Sequence, residues 1–282
     1  MSNNILLRDY LKLQISKLAD TNVEEGKIKS EALILHYLNI SKAELYLDDI
    51  KVLDKDIKVM DNMFFELYQN KPIQHIIGES YFYENRFLTP PGVFIPRPES
   101  ELLVDCAIDL ISKRNKSLTI IDFCSGSGCI LLSLAKKFPN HKYIGIDISD
   151  IAVQTARKNS ELLDLKNVEF IKQDIFNYTS QKADLILCNP PYLAPNEIDH
   201  LEDSVKNHDP IAALTDYNDG TSFYKYLISN FDNLILKNGG MLLELPFSSV
   251  TKKIISYNDS FNNNKSVFYK DLEGKKRVIK IY

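Results

Sequence analysis

The sequence predicts an α/β protein: a mostly parallel sheet wrapped by helices, preceded by a small helical domain and closed by an antiparallel pair of strands. Three observations carry this. From residue 118 onward, short apolar runs alternate with helical patterns, as right-handed βαβ units require. The first 70 residues show only the three- and four-residue apolar spacing of helices. The final stretch, NKSVFYKDLEGKKRVIKIY, reads as two strands joined by a turn near Glu273-Gly274. A chain of 282 residues is too long for one ordinary domain and long enough for two cores without disulfide or metal staples.

Taken in order, Leu7, Leu11, Ile15 and Leu18 form one helical stripe. Ala32, Leu35, Tyr37 and Leu38 form a second, and Met60, Phe64, Leu67 and Tyr68 a third. Residues 1–75 are therefore expected to make a helical domain. The aromatic run ESYFYENRFLTPPGVFIP, broken at Pro90-Pro91-Gly92, predicts a hairpin or extended linker within 76–97. Residues 98–282 then form the main domain. Pro98 suits a first helical position, and Leu103, Cys106, Ala107 and Leu110 supply that helix's buried face. LTIID, KYIGID, VEFIKQD, ADLILCN and MLLEL are expected strands. GCILLSLAKKF, SDIAVQTARKNSELL (with Ser149 as N-cap) and FYKYLISNFDNLIL are expected helices, the last ended by NGG.

Charge and composition exclude several function classes. The formal net charge of −4 is spread evenly: residues 1–75 carry 10 basic and 12 acidic side chains, and the remainder 24 and 26. Neither part has the basic stripe of a protein that grips free nucleic acid through its phosphates, so no such partner is expected. The local cluster Lys270, Lys275, Lys276, Arg277 and Lys280 is read as a solvated sheet edge. The four cysteines make no CxxC pair; Cys106 falls on an apolar helix face and Cys188 ends an apolar run, so buried, reduced thiols are expected. The N-terminus lacks a signal-peptide pattern, and no apolar run reaches the roughly 18 residues of a membrane span. A cytoplasmic protein without a membrane contact is expected. Five scattered histidines lack ligand spacing, so no metal is expected.

Two constellations carry chemistry. The first predicted strand ends in Asp122-Phe123-Cys124-Ser125-Gly126-Ser127-Gly128, small residues that let the backbone turn sharply and come close to a ligand at the next helix's N-terminus. The second strand ends at Asp147, placed to accept hydrogen bonds from the two hydroxyls of a ribose. The pair suits an adenosine-containing cofactor without deciding between a dinucleotide and S-adenosylmethionine. The loop is shorter and richer in serine than GxGxxG, and no GK[ST] follows, which excludes a P-loop. The second constellation is Asn189-Pro190-Pro191-Tyr192 at the end of the ADLILC strand. A planar amide or ring-bound amino nitrogen is a poor nucleophile because its lone pair is delocalised. The Asn189 side-chain oxygen and the Pro190 carbonyl can each accept one of its N–H groups. Tyr192 can stack on the planar group, and the prolines hold the backbone rigid. No strong base is needed, because the nitrogen becomes acidic once methylated.

These motifs resemble those of the PrmC/HemK family, the release factor glutamine methyltransferases, over nearly the whole chain. GESYFYENRFLTPPGVFIPRPESELLV is similar to the family's hairpin and IPRP[DE][ST]E segment, DFCSGSGCI to its DLGTGSGAI loop, QDIF to its adenine-flanking segment, CNPPY to its substrate motif, and DLEGKKRVI to its terminal hairpin. The resemblance implies a seven-stranded, Rossmann-like class I methyltransferase domain behind a helical N-terminal domain, with S-adenosyl-L-methionine as donor. The implied target is the glutamine of the Gly-Gly-Gln motif in class 1 peptide chain release factors. It also implies that Cys124, Ser125, Gly126, Ser127 and Gly128 line the methionine end, that Asp147 binds ribose, and that Asp174 and Ile175 flank adenine. Asn189, Pro190, Pro191 and Tyr192 would hold the glutamine, with Asn189 also near the donor. The chain departs from the family pattern in three places. Cys124 stands for a glycine, His208-Asp209-Pro210 replaces an aromatic followed by Glu-Pro, and Glu244-Leu245-Pro246-Phe247-Ser248-Ser249 replaces Glu-x-Gly-x-x-Gln. Two other readings are a methyltransferase for another planar nitrogen (a ribosomal-protein glutamine or an adenine amino group) and a non-catalytic cofactor-binding protein.

Overall fold

The computed structural model describes residues 5–260 and 265–282, in two compact units. The first comprises the chain through Glu79 together with Glu202–His208. A two-residue strand β1 (Ile5–Leu6) leads into α1 (Leu7–Leu18), followed by α2 (Gly26–Leu38), α3 (Lys42–Leu47), β2 (Lys51–Val52), α4 (Asp54–Tyr68) and α5 (Ile73–Ile77). β1 and β2 pair antiparallel. The first and third sequence stripes pack as expected: Leu7, Leu11, Leu18, Met60, Phe64 and Leu67 are all buried in one cluster. The second stripe is displaced. In α2 the deeply buried pair is Leu33 and Ile34, while Leu35, Tyr37 and Leu38 pack beside them only partly covered. α3 escaped the periodicity reading because it is short. Its start is nevertheless written locally, by a capping box in which the Ser41 side chain accepts from Glu44 N and the Glu44 carboxylate accepts from Ser41 N.

The second unit begins with a hairpin of β3 (Glu79–Phe82) and β4 (Asn85–Leu88), turned through Tyr83 and Glu84 at positive φ. The hairpin is fastened to its own unit: Leu88 N donates to Asn159 Oδ1 at 2.8 Å, and Asn159 Nδ2 donates to Ser127 O at 2.9 Å. A 3-10 turn, Pro98–Ser100, feeds α6 (Glu101–Ser112). The alternating core follows: β5 (Thr119–Phe123), α7 (Cys129–Lys137), β6 (Lys142–Asp147), α8 (Asp150–Leu162), β7 (Val168–Lys172) and β8 (Ala183–Cys188). The short helix α9 (Asp203–Lys206) belongs to the first unit; the second resumes with α10 (Ile211–Leu214), α11 (Ser222–Ser229), α12 (Phe231–Leu234), β9 (Ile235–Glu244), α13 (Ser249–Ser260), β10 (Ser266–Lys270) and β11 (Lys276–Ile281).

The seven-stranded sheet has the order β10-β11-β9-β8-β5-β6-β7. Strands β9, β8, β5, β6 and β7 are parallel, and β11 runs antiparallel to both its neighbours. Alternate side chains feed two cores. Ile120, Leu185, Leu187, Leu242 and Val278 face α6 and α7, whereas Ile121, Phe123, Ile186, Met241, Leu243 and Ile279 face α11 and α13. This is the mostly parallel sheet covered on both faces that the strand–helix alternation predicts.

One boundary differs from expectation. NGG does not end a helix; the helix breaks earlier, at Asn230, and Asn238-Gly239-Gly240 lie inside β9 at an irregularity where Ala183 pairs with Ile235 and Leu185 with Gly240. A Cβ on Gly239 would stand 2.7 Å from Asp184 O, and one on Gly240 would stand 2.8 Å from Ile281 O. The glycines permit close backbone approach, a role that sequence texture reads equally well as a helix stop. No helix among the described residues is long and apolar enough to cross a membrane.

Candidate active site

Adjacent strands β8, β5, β6 and β7 end on one edge, and each delivers part of the site predicted from sequence. After β5 comes Cys124–Gly128, with Cys124, Gly126 and Gly128 all at positive φ. Gly128 permits close packing: a Cβ there would lie 2.7 Å from the Phe170 ring, and one on Gly145 only 2.3 Å from it. The Phe170 ring thus lies directly over both glycines, bringing α7, β6 and β7 together beneath the loop. Cys124 takes a left-handed conformation that glycine adopts without steric cost. Its thiol lies beside that of Cys188, whose pKa burial raises well above the usual range, with the Cys124 contact adding to the rise.

Asp147 ends β6 and holds the loop directly. Its Oδ2 accepts from Gly126 N at 2.8 Å and its Oδ1 from Ser149 N at 2.9 Å. Burial raises its pKa, and these backbone donors oppose that rise. Each oxygen keeps a second lone pair for a further donor. Gln173 N bonds Asp147 O at 2.9 Å, which ties the end of β7 to the end of β6. Beyond β7, Asp174 spends its carboxylate capping the turn that follows, accepting from Phe176 N at 3.0 Å, and Ile175 is buried with Phe123 and Tyr178. Of the predicted cofactor residues, then, Asp147 and the glycine loop are in direct contact, while Asp174 and Ile175 form a separate ledge one strand away.

Asn189-Pro190-Pro191-Tyr192 leaves β8, which pairs with β5 so that Cys188 faces Phe123. Both prolines are buried, and Asn189 and Tyr192 are half-buried. Three features that the sequence did not tie to Asn189 or Tyr192 hold this segment. Asn189 Nδ2 donates to Ser100 Oγ at 3.0 Å. Glu244, at the end of β9, lies against Ser100. Burial pushes its carboxyl up to about 7, while the nearby Ser100 hydroxyl and the charge of Arg277 pull the other way. Third, the loop Asp216–Gly220 closes over Tyr192. The Asp216 carboxylate accepts from Asn218 N, Gly220 N and Ser222 N at 2.9, 3.0 and 2.8 Å, and a Cβ on Gly220 would stand 2.1 Å from Tyr192 O. Nearby, Arg97 of the IPRP segment bonds the buried carboxylate of Asp209 at 2.7 Å. Local signals existed for these residues: Asp216 followed by Asn-Asp-Gly has turn chemistry, and Ser100 belongs to the IPRPES run.

The loop carries buried polar atoms suited to a polar ligand. Asp122 Oδ1, Asp122 Oδ2 and Ser125 Oγ are buried and make no hydrogen bond among the described residues. Burial, with the Asp147 charge adding, raises the Asp122 carboxyl well above the usual range. Among the described residues no three His, Cys, Asp or Glu side chains are grouped to hold a metal.

A family model described as a methyltransferase domain matches residues 114–277, and one described as the PrmC N-terminal domain matches residues 9–78. With the sheet order and the strand-end site, this defines a methyltransferase. A release factor glutamine methyltransferase of Thermodesulfovibrio yellowstonii is 37% identical over 221 residues, covering 77% of this chain and 78% of that one. Enzymes of the same description from Mycoplasma mycoides and Flavobacterium psychrophilum are 33% and 30% identical, covering 86% and 98% of this chain and 86% and 99% of their own. The chain belongs to the release factor glutamine methyltransferase family.

Proposed function

We propose that this protein transfers a methyl group from S-adenosyl-L-methionine to the side-chain amide nitrogen of the Gly-Gly-Gln glutamine in class 1 peptide chain release factors, leaving S-adenosyl-L-homocysteine. The observation that carries this is Asn189-Pro190-Pro191-Tyr192 at the carboxyl end of β8, beside the Cys124–Gly128 loop at the end of β5. When bound, the donor supplies an electrophilic methyl on a positively charged sulfur. Asp147 offers its free lone pairs to ribose hydroxyls. Asp122 and Ser125 offer unspent polar atoms beneath the loop, which suit the amino-acid end of the donor. Asp174 and Ile175 form the ledge for adenine.

Asn189 Oδ1 and the Pro190 carbonyl accept the two N–H groups of the glutamine amide. They hold the nitrogen's developing lone pair toward the methyl and stabilise the positive charge that grows on nitrogen. Tyr192 covers the planar amide and fixes its face. The proton leaves after transfer, when the nitrogen is strongly acidic. The helical unit is the partner-binding module, and the setting is cytoplasmic, where release factors act.

Purified protein incubated with methyl-labelled donor and a class 1 release factor is expected to label the factor, and to leave its Gly-Gly-Gln to Gly-Gly-Ala variant unlabelled. Label on both, or on neither, would refute the target. Asp147→Ala removes the acceptor for Gly126 N as well as the ribose contact. It is expected to weaken donor binding, measured by calorimetry, by about 10- to 100-fold, on the order of 1.5–3 kcal/mol for hydrogen bonds to a charged group. Donor binding unchanged from wild type would remove Asp147 from the cofactor site.

A further inference from the structure

Asn189 can act as an acceptor only if its amide presents oxygen, not nitrogen, to the target; a reversed amide would set N–H against N–H. Nothing in the Asn-Pro-Pro-Tyr segment itself chooses between the two orientations. The choice is made 89 residues away in sequence, where Ser100 Oγ takes Asn189 Nδ2 at 3.0 Å. Ser100 is 3% exposed, and a hydroxyl oxygen that accepts from Asn189 still has its own hydrogen to place. Leu243 pairs with Cys188, so Glu244 leaves β9 beside Asn189; its carboxyl is 6% exposed, and its Oε2 is buried without a hydrogen bond among the described residues.

We propose that Glu244 and Ser100 act as a positioning pair: the carboxylate takes the Ser100 hydrogen, which turns the Ser100 lone pair toward Asn189 Nδ2 and locks Asn189 Oδ1 toward the target amide. The proposal rests on Asn189 being the residue that holds the target. Polarity runs through the pair in one direction only while Glu244 is ionised. A neutral Glu244 can donate to Ser100 instead, sending the Ser100 hydrogen toward Asn189 and favouring the reversed amide. The charged groups facing Glu244 are Arg277 of β11, which favours the carboxylate, and Glu99 of the Pro98–Ser100 turn, which opposes it. Tyr192, Tyr224 of α11 and Cys129 of α7 are neutral neighbours whose own ionisation Glu244 disfavours.

The test uses the full chain with a release factor and saturating donor. Ser100→Ala is expected to lower kcat by about 10- to 100-fold with donor affinity within twofold, in the range of a misplaced catalytic contact. Ser100→Thr, which keeps the hydroxyl, is expected to recover to within about threefold of wild type. Ser100→Ala added to Asn189→Ala is expected to cost less than about twofold more, because residues acting as one unit are not additive. The wild-type kcat is expected to fall on the acid side of about pH 7, and Glu244→Gln to lose that limb. A merely structural role moves none of the last three. Wild-type kcat in Ser100→Ala, failure of Ser100→Thr to recover, or full multiplication in the double variant overturns the pair.

One readout needs no substrate. The side-chain amide of Asn189, assigned in an NMR spectrum by its absence in Asn189→Asp, is expected to exchange slowly in wild type and quickly in Ser100→Ala. If wild type labels no release factor, the functional reading fails while this exchange still decides the pair; equal exchange rates in both proteins overturn it.

Discussion

Asn189→Ala is expected to lower kcat by about 10²–10³-fold while donor affinity stays within about threefold of wild type. The magnitude is that of one preorganised dipole removed from a site where charge develops, about 3–4 kcal/mol. The substitution leaves β8 intact, because Asn189 follows the last residue of the strand and its side chain bonds Ser100 and not the sheet. The loss should therefore appear in the chemical step, with the melting temperature little changed. Single-turnover transfer of labelled methyl, with donor binding measured in parallel, separates the two. Retained turnover would mean that another group holds the amide. Loss of donor affinity equal to the loss of turnover would move Asn189 from the target side of the site to the donor side.

Gly220→Ala carries the second large effect, through geometry alone. The added methyl would lie 2.1 Å from Tyr192 O and 3.2 Å from a Val250 methyl, in a backbone conformation that favours glycine. Either the Asn-Pro-Pro-Tyr segment retreats or the Asp216 turn opens and breaks hydrogen bonds to Gly220 N and Ser222 N. A shift of about 1 Å at a reacting group costs on the order of 10²-fold in rate, and strain of this kind about 1–3 kcal/mol of stability. The expected result is a folded protein with a lower melting temperature, kcat reduced by about 10²-fold and near-normal donor binding. Wild-type kcat would show that the loop does not set the position of Tyr192.

The parts of the candidate site that are legible in the sequence share one property: they lie at the end of a strand. Asp147 closes an apolar run, and Asn189 does the same after LILC, so strand-end position supplied their meaning. Ser100 and Gly220 have no strand-end signature, and Glu244, though it ends β9, carries nothing locally that marks it as a neighbour of Asn189. Ser100 looks like a helix start, Glu244 like the polar end of a strand, and Gly220 like an ordinary turn. Their meaning depends on which strands become neighbours, here β8 beside β9. The same limit explains the fold. The stripes Leu7–Leu18 and Met60–Leu67 were legible because one face alone is buried, whereas Leu33 and Ile34 required knowing what packs against α2. The glycines of β9 were misread because two incoming carbonyls, of Asp184 and Ile281, belong to distant strands.

The position of β11 has a consequence for how the molecule is made. This strand, the last in sequence order, does not sit at the rim of the sheet; it slots between β9 and β10. As the chain emerges from a ribosome, β9 can dock on β8 yet must keep an unpaired, sticky edge until residues 276–281 have been synthesised. The backbone bond from Leu245 N to Arg277 O, 2.7 Å, also forms only then, and it joins the residue after Glu244 to the last strand. Assembly of the candidate site is thus tied to the synthesis of residues 276–281, so a nascent chain stalled before Arg277 should carry most of the sheet without the pairing that fixes the residue after Glu244.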